Sequence, residues 1–311
     1  MAENKLLELT LKANIDQQSP VKLLTSQCDL SSAEIKSAMT KGAVWIKRMD
    51  NRASTANKHH KAVRLRRASA LLSCGDLLLM NYDSAVLAQT AQPPKLVEDQ
   101  GGFSVWDKPA GMLCQGSRWS DHTTLNRWIE SEWLSQRRAF LVHRLDRMTS
   151  GLTVVAHNKK MAANLARQFQ ERVTTKRYRV VVMGECELAC PYVIDEPLDG
   201  KHAVTIIERS VDDWVSELDL NETSPHHWPN SVALSRLSLP FTKLEVSIQT
   251  GRKHQIRRHL AGLGFSVIGD RLYGDTKQNL IYENVGIDMQ LQSCRLSFLH
   301  PETRTRQDYC L

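Results

Sequence analysis

His143-Arg144-Leu145-Asp146-Arg147-Met148-Thr149-Ser150-Gly151-Leu152, running on into Thr153-Val154-Val155-Ala156, is the stretch from which the rest of the chain is read. In an extended segment side chains alternate faces, so Arg144 and Asp146 point one way while His143 and Leu145 point the other. Thr149-Ser150-Gly151 supplies a tight turn in which glycine can take a positive φ, and the apolar residues after it read as a buried strand. A carboxylate is thus held at the entry to a strand, on a frame rigid enough to carry a reactive group. On these residues alone, an ordinary Arg–Asp pair at a strand start is the leading explanation.

Downstream the pattern stays regular. Asn158 caps a helix whose Met161, Leu165 and Phe169 share an apolar face, with Lys159, Lys160 and Arg167 outward. A strand follows at Tyr178 to Met183, preceded by Lys176; an aromatic core position on that strand accounts for Tyr178 by itself. Residues 208–240 are rich in Ser, Asp, Asn and Pro and read as an insertion without chemistry. Thr242 to Ile248 then alternates, with Leu244, Val246 and Ile248 on one face. Thr250-Gly251 turns this strand into Arg252-Lys253-His254-Gln255-Ile256-Arg257-Arg258-His259-Leu260, which Gly262 and Gly264 stop, and Gly269-Asp270-Arg271-Leu272-Tyr273-Gly274 follows. Arg257 and Arg258 read equally as exposed helical cations that meet phosphate. Upstream, Gly102 to Gly111 is a strand ending in Lys108-Pro109-Ala110-Gly111, where proline fixes φ and glycine permits a close turn, so a structural duty for Lys108 and Pro109 is sufficient.

In this order the blocks resemble the RluA-type pseudouridine synthases. His143 to Gly151 matches that family's His-Arg-Leu-Asp-x-x-Thr-Ser-Gly signature at every position, Lys108 to Gly111 its first motif, Lys176 and Tyr178 its Lys-x-Tyr element, and Thr250 to Arg257 its third motif. The resemblance covers residues 102–183 and 243–274, and the segment Cys114 to Thr124 departs from the common family sequence. It implies an α+β core on a mixed, largely antiparallel sheet with a central catalytic cleft. It also implies that Asp146 is the nucleophile, that Tyr178 stacks against the target base and that Arg257 pairs with Asp146.

The 311 residues carry a net charge of +7, placed unevenly: residues 20–84 hold 11 Lys and Arg against 5 Asp and Glu, an excess of +6. Such a division suits a small basic docking module for a polyanion joined to a balanced larger unit, and by charge alone suits a solvated basic face equally well. Within it, Ser31-Ser32-Ala33-Glu34 is a capping-box start, Ile35 and Met39 share a helical face, and Gly42 ends the helix. Ala43 to Ile46 and Leu77 to Tyr82 read as strands. This order, with its Lys41-Gly42-Ala43-Val44 and Gly75-Asp76 landmarks, resembles the alpha-L RNA-binding domain, although its opening is Pro20-Val21-Lys22-Leu23-Leu24. Lys36, Lys41, Lys61, Arg64, Arg66 and Arg67 are the candidate RNA contacts, on the argument that clustered cations meet phosphates. The expected organisation is an N-terminal extension over 1–19 that packs as a short helix or frays, a basic domain over 20–84, a linker over 85–100 marked by Pro93-Pro94, and a catalytic domain over 101–311. A chain beginning near Gly101 should then fold and retain chemistry.

No run of 18 apolar residues occurs, and the start lacks a signal-peptide pattern, so a soluble cytoplasmic protein without membrane association is expected. The seven cysteines lack paired spacing, and Cys186 with Cys190 has no companion histidine pair, so reduced thiols are expected. His59-His60 and His226-His227 read as solvated loop residues.

Making pseudouridine from uridine cuts the N-glycosidic bond, turns the uracil and joins C5 to the ribose, with no atom gained or lost. A carboxylate can begin this at the uracil ring or at the anomeric carbon, and it must be ionised to do so. Arg257 would favour that charge against desolvation. The stacked nucleotide must first be extruded, at a cost of roughly a few kcal/mol. Arg144, on the face of Asp146, would fill the vacated space while Tyr178 stacks on the base and handles protons. No metal, organic cofactor or obligatory protein partner is required. The expected activity is RNA pseudouridine synthesis, on ribosomal RNA because of the basic module; transfer RNA is the alternative substrate, and a noncatalytic RNA-binding assembly factor the alternative class.

Overall fold

The computed structural model of the chain describes residues 4–49, 60–133, 137–210 and 239–311. Two compact units emerge, one built from Met1–Ala91 with Gln115–Trp128, the other from Gln92–Cys114 with Ile129–Leu311.

In the first unit β1 (Leu6–Lys12), β2 (Val44–Lys47), β3 (Val63–Arg64) and β4 (Leu77–Asp83) form an antiparallel sheet in the order β1-β4-β2-β3. Helices α1 (Pro20–Thr25) and α2 (Ser32–Thr40) complete its core, in which Leu24, Ile35, Met39, Val44, Leu78 and Met80 are buried. The capping box closes as expected: Ser31 N–H donates to Glu34 Oε2 at 2.7 Å and Glu34 N–H to Ser31 Oγ at 3.2 Å. Residues 1–19, expected as a short helix or a frayed end, instead supply β1, which pairs with β4 along its whole length. Leu7, Leu9 and Leu11 pack on the core while Glu8, Thr10 and Lys12 face outward, a period of two that suits a strand and no helix.

The stretch 115–128, which ends in the short helix α4 (Leu125–Trp128), belongs to this unit although sequence order puts it inside the catalytic domain. The basic residues are what hold it. Arg64 Nε lies 3.0 Å from Asp121 Oδ2, and the Arg66 guanidinium pairs with the same carboxylate. Arg64 also donates to the carbonyls of Gly42 and Ser117, and stacks over Trp45 at 4.2 Å, whose Nε1–H donates to the Arg118 carbonyl at 2.9 Å. Lys41 Nζ donates to the Leu87 carbonyl at 2.5 Å. Arg64, Arg66 and Lys41, expected at phosphates, are therefore engaged inside the unit, because a carboxylate and carbonyls left in a partly dry environment need those donors. Lys36, Lys61 and Arg67 remain exposed. Asp121→Ala should cost about 2–3 kcal/mol in urea unfolding, since it leaves two half-buried guanidinia facing each other.

Among the described residues the second unit is built on a ten-stranded sheet. Its main path runs β10 (Tyr192–Asp195), β11 (Val204–Ser210), β12 (Phe241–Ile248), β9 (Thr175–Met183), β13 (Leu291–Leu299), β8 (Ser150–Ala156), β6 (Phe103–Lys108) and β5 (Lys95–Asp99). β7 (Phe140–Leu141) and β14 (Arg306–Cys310) attach to β8 and β13. Among the described residues only β8 and β13 pair in parallel, so the sheet is mixed and largely antiparallel, as expected for the α+β class. Helix α5 (Lys159–Gln170), capped by the Asn158 side chain on the Met161 N–H, buries Met161 and Leu165 against Phe103, Val105, Leu152 and Val154. Helices α6 (Gln255–Gly262) and α7 (Thr276–Asn284) and a π-helical turn at Ile129–Trp133 are further elements of this unit among the described residues.

Residues 85–100 are more than a linker. Asp83 caps α3 (Ser84–Leu87), and β5 covers the edge of β6. A chain starting at Gly101 would expose that edge and strip 115–128 of its arginine and tryptophan partners, so it should aggregate or unfold at lower temperature than the full chain, contrary to the expectation from charge division. Of the expected insertion, residues 208–210 close β11, whereas 211–238, with His226-His227, lie outside the described residues. All seven cysteines are free thiols.

Candidate active site

The Asp146 loop enters the sheet where β8 meets β13. Gly151 has φ +106°, and a Cβ there would sit 2.3 Å from the Ser293 carbonyl oxygen, so glycine is what lets the two strands approach. Leu145 is buried and its N–H donates to the Cys114 thiol at 3.3 Å, while Arg144 is exposed and Asp146 half-exposed, reproducing the alternation read from the sequence. His143 accepts the Val154 N–H at 3.0 Å and stacks on Phe169 at 4.3 Å. Burial, helped by nearby Lys176, brings its imidazole down to about 3, so it is a neutral structural group.

Lys108 locks the loop from below. Its fully buried ammonium donates to the carbonyls of Pro109 at 3.0 Å, Met112 at 2.8 Å and Arg147 at 3.3 Å. Burial lowers it to about 8 despite the opposing charges of Cys114, Asp146 and Asp107. The Lys-Pro-x-Gly turn and the Asp146 loop are thereby tied together, and the backbone exchange between Gly111 N–H and the Arg147 carbonyl at 2.9 Å adds to the tie.

Tyr178 lies on β9, opposite Val246 of β12 on one side and Ser293 of β13 on the other. Since Ser293 also faces Gly151, one row of the sheet carries the tyrosine up to the strand that follows Asp146. The ring is buried, and desolvation followed by the Asp146 charge pushes its hydroxyl well above the ordinary phenol range. It is thus a neutral hydroxyl on an apolar ring, able to stack, to donate and to relay a proton, but poor as a free phenolate.

Arg257, on α6, was expected to have Asp146 as its main partner. The structure gives it two carboxylates of unequal weight. Nε donates to Asp270 Oδ2 and NH2 to Oδ1, both at 2.7 Å, whereas NH1 reaches Asp146 Oδ2 at 3.6 Å. The Asp270 side chain is 0% exposed, and its Oδ1 also accepts the N–H groups of Leu272 and Tyr273. Burial alone would raise the Asp270 carboxyl, but the bonds from Arg257 and the two amides outweigh it and the net shift is downward. Burial likewise works against the Arg257 charge, and Asp270 and Asp146 overcome it. One edge of the guanidinium is therefore anchored in the protein and the other is presented to Asp146.

Asp146, Tyr178 and Arg257 all lie in the second unit, with Arg257 3.6 Å from Asp146 and the Asp146 charge felt at Tyr178; Arg144 is exposed. Lys36, Lys41, Lys61, Arg64, Arg66 and Arg67 lie in the first unit. Residue-level reading missed Asp270 as the anchor, and His254 and Tyr273 as neighbours. All three stand in the blocks quoted above, yet nothing in a short polar segment tells which carboxylate will be enclosed. Among the described residues no group of three or more His, Cys, Asp or Glu could hold a metal ion, and no helix is long and apolar enough to cross a membrane.

Residues 102–262 match the family model described as RNA pseudouridylate synthase. The chain is 33% identical over 219 residues to an Aquifex aeolicus protein titled "Uncharacterized RNA pseudouridine synthase", a match covering 67% of this chain and 66% of that one. It is 31% identical over 219 residues to the ribosomal large subunit pseudouridine synthase D of Nitrosomonas europaea, over 68% of this chain and 60% of the relative. Against the tRNA pseudouridine synthase C of Haemophilus ducreyi the identity is 31% over 212 residues, covering 63% and 82%. Among solved structures, human RNA pseudouridylate synthase domain containing 1 shares the fold with TM-score 0.52 and 22% identity, over 72% of this chain and 84% of that one.

Proposed function

Because this chain belongs to the RluA-type RNA pseudouridylate synthase family, we propose that it isomerises uridine to pseudouridine in RNA, with Asp146 as the nucleophile. The observation that supports this most directly is the Asp146 carboxylate facing the free edge of a guanidinium whose other edge is locked by buried Asp270. A binding protein has no use for that arrangement, whereas a nucleophile that must stay charged as water leaves does. Arg144 would fill the gap left by the extruded nucleotide, and Tyr178 would stack on the uracil and move protons. The substrate proposed is ribosomal RNA in the cytoplasm, by analogy with the Nitrosomonas relative and from the basic first unit. Transfer RNA is the second reading, favoured by the Haemophilus relative, which matches over more of its own length. Pseudouridine maps of both RNA classes from cells with and without the gene decide between them; a map without change in either class would reject the activity.

Docking of the RNA through the first unit now rests on Lys36, Lys61 and Arg67. Replacing all three with Ala should flatten the log–log salt dependence of RNA binding by roughly 0.7–0.9 per lost contact. An unchanged slope would reduce these residues to a solvated face.

A further inference from the structure

His254 lies beside Asp146 and has so far no part in the proposed chemistry. It precedes α6 in the left-handed region, at φ +55° and ψ +30°, and its side chain caps no helix N–H. A side chain other than glycine in that conformation carries a modest cost, and contacts around the ring offset it here. Nδ1 lies 3.0 Å from the Tyr273 hydroxyl, and the ring packs edge-on against the Tyr273 ring at 5.6 Å. The same tyrosine face receives the Arg257 guanidinium at 5.0 Å. So fixed, His254 Nε2 faces Asp146 Oδ1 at 3.9 Å, while Arg257 NH1 faces the other oxygen, Oδ2, at 3.6 Å.

We propose that His254 is a positioning residue for the nucleophile: Tyr273 sets its tautomer and angle so that Nε2–H takes one oxygen of Asp146 while Arg257 takes the other. The chemistry is consistent with a single tautomer. When the Tyr273 hydroxyl donates to Nδ1, the ring proton must sit on Nε2, the nitrogen aimed at the carboxylate. Burial favours the neutral ring, and the cations Arg257 and Lys253 act in the same direction against the opposing charges of Asp146 and Asp270. A neutral donor orients a carboxylate without quenching it as a second full cation would. Donors facing the two different oxygens, at 3.9 and 3.6 Å, would close on the carboxylate and narrow its rotamers as substrate binds, which serves the proximity requirement for attack on a carbon held by the RNA. The left-handed backbone at His254 is then the cost of aiming the ring, at a place where an ordinary helix start would point it elsewhere.

This inference rests on the proposed isomerase activity and is tested after wild-type turnover on RNA has been established. His254→Gly suits the backbone and removes only the ring; His254→Asn tolerates the same conformation and keeps a shorter N–H donor. Expected for His254→Gly is a 10- to 100-fold loss of kcat with KM, RNA affinity and thermal midpoint unchanged, and partial recovery in His254→Asn. Tyr273→Phe should lose several-fold in kcat, and the double variant Tyr273→Phe/His254→Gly should be no slower than His254→Gly alone, because both act through one proton position. Wild-type kcat in His254→Gly, a loss carried by KM instead of kcat, or multiplicative losses in the double variant would overturn the proposal. Absence of turnover in the wild-type protein would instead reject the function it builds on.

Discussion

Asp146→Asn is expected to abolish pseudouridine formation, by roughly four orders of magnitude or more in single-turnover rate, while RNA affinity and the thermal midpoint stay near those of the wild type. The amide keeps the size and shape of the side chain and removes the charge that the proposed attack needs. The loop that carries it is held by other groups: the buried Leu145, the Cys114 thiol on the Leu145 N–H, and the three carbonyls gripped by Lys108. Asp146 itself is 31% exposed in its side chain and makes no contact shorter than 3.6 Å to Arg257 or His254, so little folding energy depends on it. The measurement is pseudouridine formation within a labelled uridine RNA, with circular dichroism and a binding isotherm on the same preparation. Near-normal product from a folded variant would remove Asp146 from the centre of the mechanism.

Arg257→Met should damage the enzyme twice, and the structural part is the one that charge reasoning on the sequence did not foresee. Losing the guanidinium leaves the enclosed Asp270 carboxylate without its bidentate partner, a change that costs about 3–5 kcal/mol when the remaining charge is buried. Turnover should fall by roughly two orders of magnitude in protein that still folds, because Asp146 loses its fixed counter-charge. The neighbouring Arg258 pairs with the exposed Asp199, so Arg258→Met should leave both quantities nearly as they are. The pH dependence follows from the same pair. The folded-state value of Asp270 is depressed below that of the unfolded chain, so its contribution is fully present above the ordinary Asp range near about 3.9 and is lost as pH falls through the lower folded value. Urea unfolding between pH 7 and pH 3 should therefore show an acid destabilisation in the wild type that is smaller in the double variant Arg257→Met/Asp270→Leu. If Arg257→Met unfolds at the wild-type urea concentration and loses only salt-dependent RNA affinity, Arg257 is a phosphate contact instead.

By itself the sequence determined what depends on neighbours along the chain. The α2 capping box, the Asn158 cap, the alternation of β12 and the in-and-out pattern of His143 to Asp146 are set by spacings of one to four residues, and all stand in the structure. The strand β1 was equally legible, since Leu7, Leu9 and Leu11 alternate with polar residues; a polar average over residues 1–19 hid the pattern. Only the tertiary structure decided which charges meet across long stretches of chain. Arg64 and Arg66 looked like phosphate ligands because their partner, Asp121, stands more than fifty residues away in a segment that sequence order assigned to the other unit. Arg257 reads as a partner of Asp146 alone in the sequence, whereas the structure encloses Asp270 beside it, and only the folded chain, with a left-handed backbone at His254, brings that ring within 3.9 Å of Asp146. The reason is the same in each case: hydrophobic periodicity and capping are local and repeat along the chain, whereas the value of an ion pair or a donor depends on burial and distance, and these exist only once remote segments have packed.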